Sequence, residues 1–169
     1  MNIKWRAWLA LLVSFAIATV FVLILQPHLF NEPILPFSIS NKELEEWTES
    51  IFGITNFILF ILGFVVLLIW ILIATSSKFT KATDALSKGF FWWLFLIGYW
   101  LLGIVIIMSI SFFSGWMDGG KDMEPSYWLS FFVLIDGVVL FWLPSAIGTP
   151  GSMRYVPPFA MTLRKFYGG

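Results

Sequence analysis

The apolar positions of this chain fall in four long runs set apart by short polar connections. They are WLALLVSFAIATVFVLIL within 7–25, IFGITNFILFILGFVVLLIWILIA over 51–74, GFFWWLFLIGYWLLGIVIIMSISFF over 89–113 and YWLSFFVLIDGVVLFWL over 127–143. A helix rises about 1.5 Å per residue, so roughly 20 mainly apolar residues cross a hydrocarbon layer about 30 Å thick. The first three runs meet that length; the fourth is the shortest and holds an aspartate, Asp136. The pattern predicts an all-α fold: a polytopic membrane protein, 1–169 forming one membrane domain of four transmembrane helices. Between the spans are expected an outer loop over 26–50, an inner loop over 75–88, an outer loop over 114–126 and a cytoplasmic tail over 144–169.

Charge gives these elements a direction. Lys4, Arg6, Lys78, Lys81, Lys88, Arg154, Arg164 and Lys165 stand on one set of connections with Asp84 as the only acid. The other set holds Glu32, Glu43, Glu45, Glu46, Glu49, Asp118, Asp122 and Glu124 against Lys42 and Lys121. Basic loops stay on the cytoplasmic side. Both termini are therefore expected inside the cytoplasmic membrane, and an even number of crossings admits the fourth run. Tryptophan agrees, because its ring favours the membrane interface. Trp5, Trp8, Trp70, Trp92, Trp93 and Trp142 fall at expected inner ends, and Trp47, Trp116 and Trp128 at outer ends. Only Trp100 is mid-span, beside Tyr99. The basic start MNIKWR and Ala16-Ile17-Ala18 have the form of a secretory signal. The apolar run continues past Ala18 through Leu25, so a retained span is expected.

In the connection 26–50, Pro27, Pro33 and Pro36 preclude helix throughout, since each lacks an amide donor. Ser40-Asn41-Lys42-Glu43 has the pattern of a capping box, and Leu44, Trp47 and Ile51 recur at helical spacing, so a helix starts near Asn41. Its acids Glu45, Glu46 and Glu49 read first as a solvated face, and alternatively as a dock for a basic partner. Lys78, Lys81 and Lys88 suit anionic headgroups, each contributing about 1 kcal/mol. In the tail, Phe159, Leu163 and Phe166 with Arg164 and Lys165 suggest an interfacial helix, a partner-binding tail being the sharper alternative. Pro144 is expected to end the fourth helix.

Composition narrows the chemistry. Only 12% of residues are charged and 59% are hydrophobic, against about 25% charged in a typical soluble domain. Without cysteine there is no disulfide, thiolate metal site or thiol nucleophile. His28 alone builds neither a structural zinc site nor bis-histidine haem ligation. No phosphate loop or pair of carboxylates within one span is present. No cofactor, no nucleic-acid partner and no enzymatic activity are expected.

One group stands out. Asp136 lies ten residues beyond Ser126, about 15 Å along a helix, near the middle of a bilayer. An acid there costs about 2.5–3.5 kcal/mol on insertion scales, and no lysine, arginine or histidine occurs in any of the four runs. Polar groups within reach are Ser14 on the first helix and Tyr99 on the third, with Asn56 nearer the outer face. A structural hydrogen bond is the first reading, pairing with another membrane protein the second, a proton or cation site the third. Ala10, Ser14 and Ala18 recur every four residues, a small-residue stripe that lets helices approach closely.

Three functions compete. The first is a non-catalytic protein acting by protein–protein contact in the bilayer, an accessory or assembly subunit of a larger membrane complex or a homo-oligomer. The second, by analogy of architecture alone, is an immunity-type protein that protects a membrane from a pore-forming toxin. The third is an oligomeric proton or ion channel or transporter subunit using Asp136.

Overall fold

The computed structural model describes residues 5–31, 34–76, 82–117, 121–148 and 156–167. No strand occurs among the described residues, and four helices are long and apolar enough to cross a membrane. Helix α1 covers 5–31, α2 covers 41–76, α3 runs over Ala82–Phe113, α4 covers 124–148, and a short α5 runs over Ala160–Tyr167. Large apolar side chains such as Leu12, Ile24, Leu72, Phe90, Leu101 and Phe131 point outward around the four long helices.

Three of these helices contain a wide π turn: Phe21–Leu25 in α1, Thr48–Phe52 in α2 and Gly137–Trp142 in α4. Two of the π turns stand just ahead of a proline. In α1 the Gln26 N–H donates to Phe21 O, five residues back instead of four. In α4 the Leu143 N–H likewise reaches Val138 O. A proline inside an ordinary helix costs about 3 kcal/mol, because it removes an amide donor and its ring meets the carbonyl of the preceding turn. The wider turn relieves that clash, and the chain passes through both prolines without leaving the helix. This corrects two expectations. The first helix does not end at residue 25 but continues through Asn31, and Pro144 does not end the fourth, which continues to Gly148. The third helix also begins earlier than expected, at Ala82.

Helix α2 begins with the capping pair. Ser40 Oγ accepts from the Glu43 N–H, and the Glu43 carboxylate accepts from the Ser40 N–H at 3.1 Å and the Ser40 hydroxyl at 2.8 Å. These bonds favour the ionised form and hold the Glu43 carboxyl below its ordinary value. Farther along, indoles tie the helices together. Trp47 Nε1 donates to Ser126 Oγ at 3.0 Å, and Ser126 Oγ pairs with Ser111 Oγ at 3.0 Å, joining α2, α3 and α4 at one level. Near the opposite end Trp92 Nε1 donates to Ser145 Oγ at 2.9 Å. Trp47, Trp70, Trp92 and Trp116 are buried between helices; their rings face protein and not the outer surface of the bundle.

Helix α4 is the innermost. Of the four most apolar windows, 56% of α4's is buried, against 22%, 33% and 28% for α1, α2 and α3. The shortest and least apolar run is therefore the one the others wrap, and that is why it carries the acid. Close approach is possible because glycines stand at the crossings. A Cβ at Gly103 would lie 2.6 Å from Val133, and one at Gly63 would lie 2.9 Å from Leu140. Gly53 and Gly98 face nothing within 4 Å.

Candidate functional site

Two side chains meet at the centre of the bundle. Gln26 Nε2 donates to Asp136 Oδ1, and both residues are fully buried. Helix geometry brings them together. A Cα–Cβ bond leans toward the N-terminus of its own helix. Helices α1 and α4 run in opposite directions, so Gln26 leans away from the acidic end of the bundle and Asp136 leans toward it.

A second amide stands beside this pair. Asn56 Nδ2 donates to Val22 O at 2.7 Å. In an ordinary helix that carbonyl would accept from the Gln26 N–H, which the π turn has redirected to Phe21 O. The donor five residues on is Pro27, which has no N–H. Val22 O is left without a helical partner by register and by proline together, and Asn56 supplies the missing donor. Neighbouring side chains commonly satisfy backbone groups freed at a proline in apolar surroundings. Val22 and Gln26 are one turn apart on α1, about 5.4 Å. The contact between Trp47 and Ser126 fixes the relative depth of α2 and α4. From it Asn56 lies nine residues along α2, about 14 Å, and Asp136 lies ten residues along α4, about 15 Å. Asn56 is level with Asp136, deeper than its sequence position suggested.

After these bonds are made, four buried oxygens have no partner: Gln26 Oε1, Thr55 Oγ1, Asn56 Oδ1 and Asp136 Oδ2. Buried polar atoms are nearly always paired, and an unpaired one costs about 1–3 kcal/mol. Neither amide can be turned round to remedy this, since each would give up the bond its NH₂ group now makes.

Rings close the site on both sides. One turn from Gln26 toward the acidic end, Phe30 stacks on Trp47 and Phe52 at ring separations of 5.6 and 4.9 Å and meets the edge of Phe132 at 5.5 Å. Phe132 is one turn from Asp136 on α4, so the aromatic cluster lies directly over the pair. From α3, Trp100 Nε1 donates to Leu134 O at 3.2 Å, and Tyr99 is buried with its hydroxyl toward Leu59 O.

The remaining residues singled out from the sequence are placed as follows. Ser14 is buried but donates to Leu11 O of its own helix at 2.8 Å, about three turns from Gln26. Ser14 and Ala18 are buried and Ala10 is half-buried, on the face of α1 that packs against the last turns of α4. Glu45 and Glu49 are exposed and rim a groove of about 480 Å³, with Phe30, Asn31, Asn41, Leu44 and Thr48 as its other walls. Glu46 pairs with Lys121 at 2.6 Å, a surface contact that contributes about 1 kcal/mol at most. Lys165 is exposed on α5. Lys88 and Arg164 lie on helices with their side chains outside the described set, and Lys78, Lys81 and Arg154 lie outside the described residues. The sequence reading missed Gln26, assigned to a loop, and Thr55. An amide flanked by Leu25 and Pro27 at the end of an apolar run was the available signal for the first.

No protein-family model, curated protein or solved structure matches this chain.

Proposed function

We propose that the chain is a multi-pass protein of the cytoplasmic membrane, both termini inside, that works without catalysis as an accessory or assembly subunit of a larger membrane complex. The carrying observation is the groove at the acidic end: Glu45 and Glu49 form an exposed acidic rim with Asn31, Asn41 and Thr48, the buried Phe30 and Leu44 lie at its floor, and the first turns of α2 form one side. A concave surface with a concentrated acidic rim is complementary to a basic segment of a partner protein. The closed aromatic cluster beneath it favours this reading over conduction, because Phe30, Trp47, Phe52 and Phe132 leave no polar path from the groove to Asp136. Asp136 has an internal partner in Gln26, so the partner protein is met at the groove and not at the acid.

The test is photocrosslinking in native membranes from a probe at position 48, inside the groove, with purification in mild detergent. A discrete adduct that disappears in the Glu45→Lys, Glu49→Lys variant supports the proposal. A monomer without adduct, identical in the variant, defeats it.

A further inference from the structure

We infer that Gln26, Thr55, Asn56 and Asp136 form a binding site for one small monovalent cation, at the level where Gln26 of α1 meets Asp136 of α4. The carboxyl holds one amide donor and no positive group. On α1 it is faced by Gln26, with Phe30 one turn beyond; His28 is exposed. On α2 the neighbours at its level are Thr55, Asn56 and Leu59, on α3 Tyr99 and Trp100, and along α4 Phe132 and Leu140. None of these is a cation. An acid so enclosed is retained when a positive charge joins it or when it is neutral.

The other oxygens decide between a metal ion and a proton. A proton on Asp136 Oδ2 lets that atom donate to one of the other three oxygens. Two buried oxygens on α1 and α2 would still be without partners. A cation engages several oxygens at once, and amide, hydroxyl and carboxylate oxygens are the ligands that small hard cations take. The two amides are held with their oxygens free because their NH₂ groups are already committed to Asp136 and to Val22 O. Charge selects valence. One carboxylate balances one positive charge, and among the described residues no three histidine, cysteine or acidic groups gather to hold a divalent ion.

The experiment follows thermal unfolding of the purified full chain in detergent at fixed pH and ionic strength, exchanging choline chloride for sodium or lithium chloride. The expected result is a midpoint that rises and saturates with sodium or lithium, and that Asp136→Asn abolishes. Because Asp136→Asn can also disturb folding, Thr55→Val is the second variant. Its hydroxyl makes no hydrogen bond, so its midpoint in choline should hold or rise relative to the parent, while half-saturation moves up about tenfold for one lost ligand. Identical curves in sodium and choline overturn the site. A response to pH alone, the same in both salts, assigns the oxygens to a proton instead and also overturns it. An unchanged half-saturation in Thr55→Val overturns the four-oxygen arrangement.

Discussion

At Gly137 a Cβ would stand 2.1 Å from Trp100 Nε1 and 2.8 Å from its Cδ1. The indole cannot retreat without breaking its bond to Leu134 O, so this glycine is required by close approach and not by backbone conformation. Gly137→Ala should cost about 1–3 kcal/mol, the usual range for overpacking, read as a lower denaturation midpoint in mild detergent. Gly98→Ala is the matched control. Nothing lies within 4 Å of it, and alanine is the better helix former by about 1 kcal/mol, so its midpoint should hold or rise. Glu43 offers a second residue-scale test. Its carboxyl titrates lower in the folded chain than the ordinary 4.5 because Ser40 donates to it. The contribution of the cap is complete above the unfolded value and is lost as the pH falls through the folded one. In Ser40→Ala the side-chain carboxyl resonance of Glu43 should return toward the ordinary value; an unchanged titration would assign the shift to something other than the cap.

The elements show how much could be read from the residue order, and where it stopped. Four apolar runs were plain in the sequence, as were the capping pair at Ser40 and Glu43 and the lone acid at Asp136, because each depends on residues close together in the chain. Gln26 was lost because Pro27 reads as the end of a helix, and Pro144 misled in the same way. Both prolines are accommodated by a π turn, and the turn before Pro27 depends on a donor from another helix: Asn56, thirty-four positions from the carbonyl it serves. Tertiary context of that kind leaves no local trace. The dependence is testable by a double-mutant cycle. Asn56→Leu should cost about 1–3 kcal/mol by leaving Val22 O unpaired. Pro27→Ala introduces an N–H at the position where a π-register donor to that carbonyl belongs. In the Pro27→Ala background the cost of Asn56→Leu should therefore shrink, with a coupling of about 0.5–3 kcal/mol. Additive effects would show that Asn56 serves some other group.

For the whole molecule, the separation of charge between the two ends and the fourfold crossing are one proposition. On the proposed topology, eight basic residues and one acid fall on one face, two basic residues and eight acids on the other. The acids are gathered where α1 ends, α2 begins and α4 begins, so Glu45, Glu49, Asp122 and Glu124 share one end of the bundle whichever way it is inserted. The direction of insertion is then decided by the loop lysines and arginines, since acids contribute little to orientation. The chain has no cysteine, so single cysteines can report each face without a background. Cysteines at positions 4, 84 and 165 should react with an impermeant maleimide only after the cells are opened. Those at positions 46 and 122 should react in intact cells. Replacing Glu45, Glu46 and Glu49 together by lysine puts three new positive charges beside the start of α2 and removes the basis for the sorting. A fraction of that variant should then present position 46 inside, while the ion pair to Lys121, a surface contact, is too weak to hold the end in place. Labelling of positions 4 and 165 on opposite sides would require an odd number of crossings, and the four long helices could not then all span the bilayer.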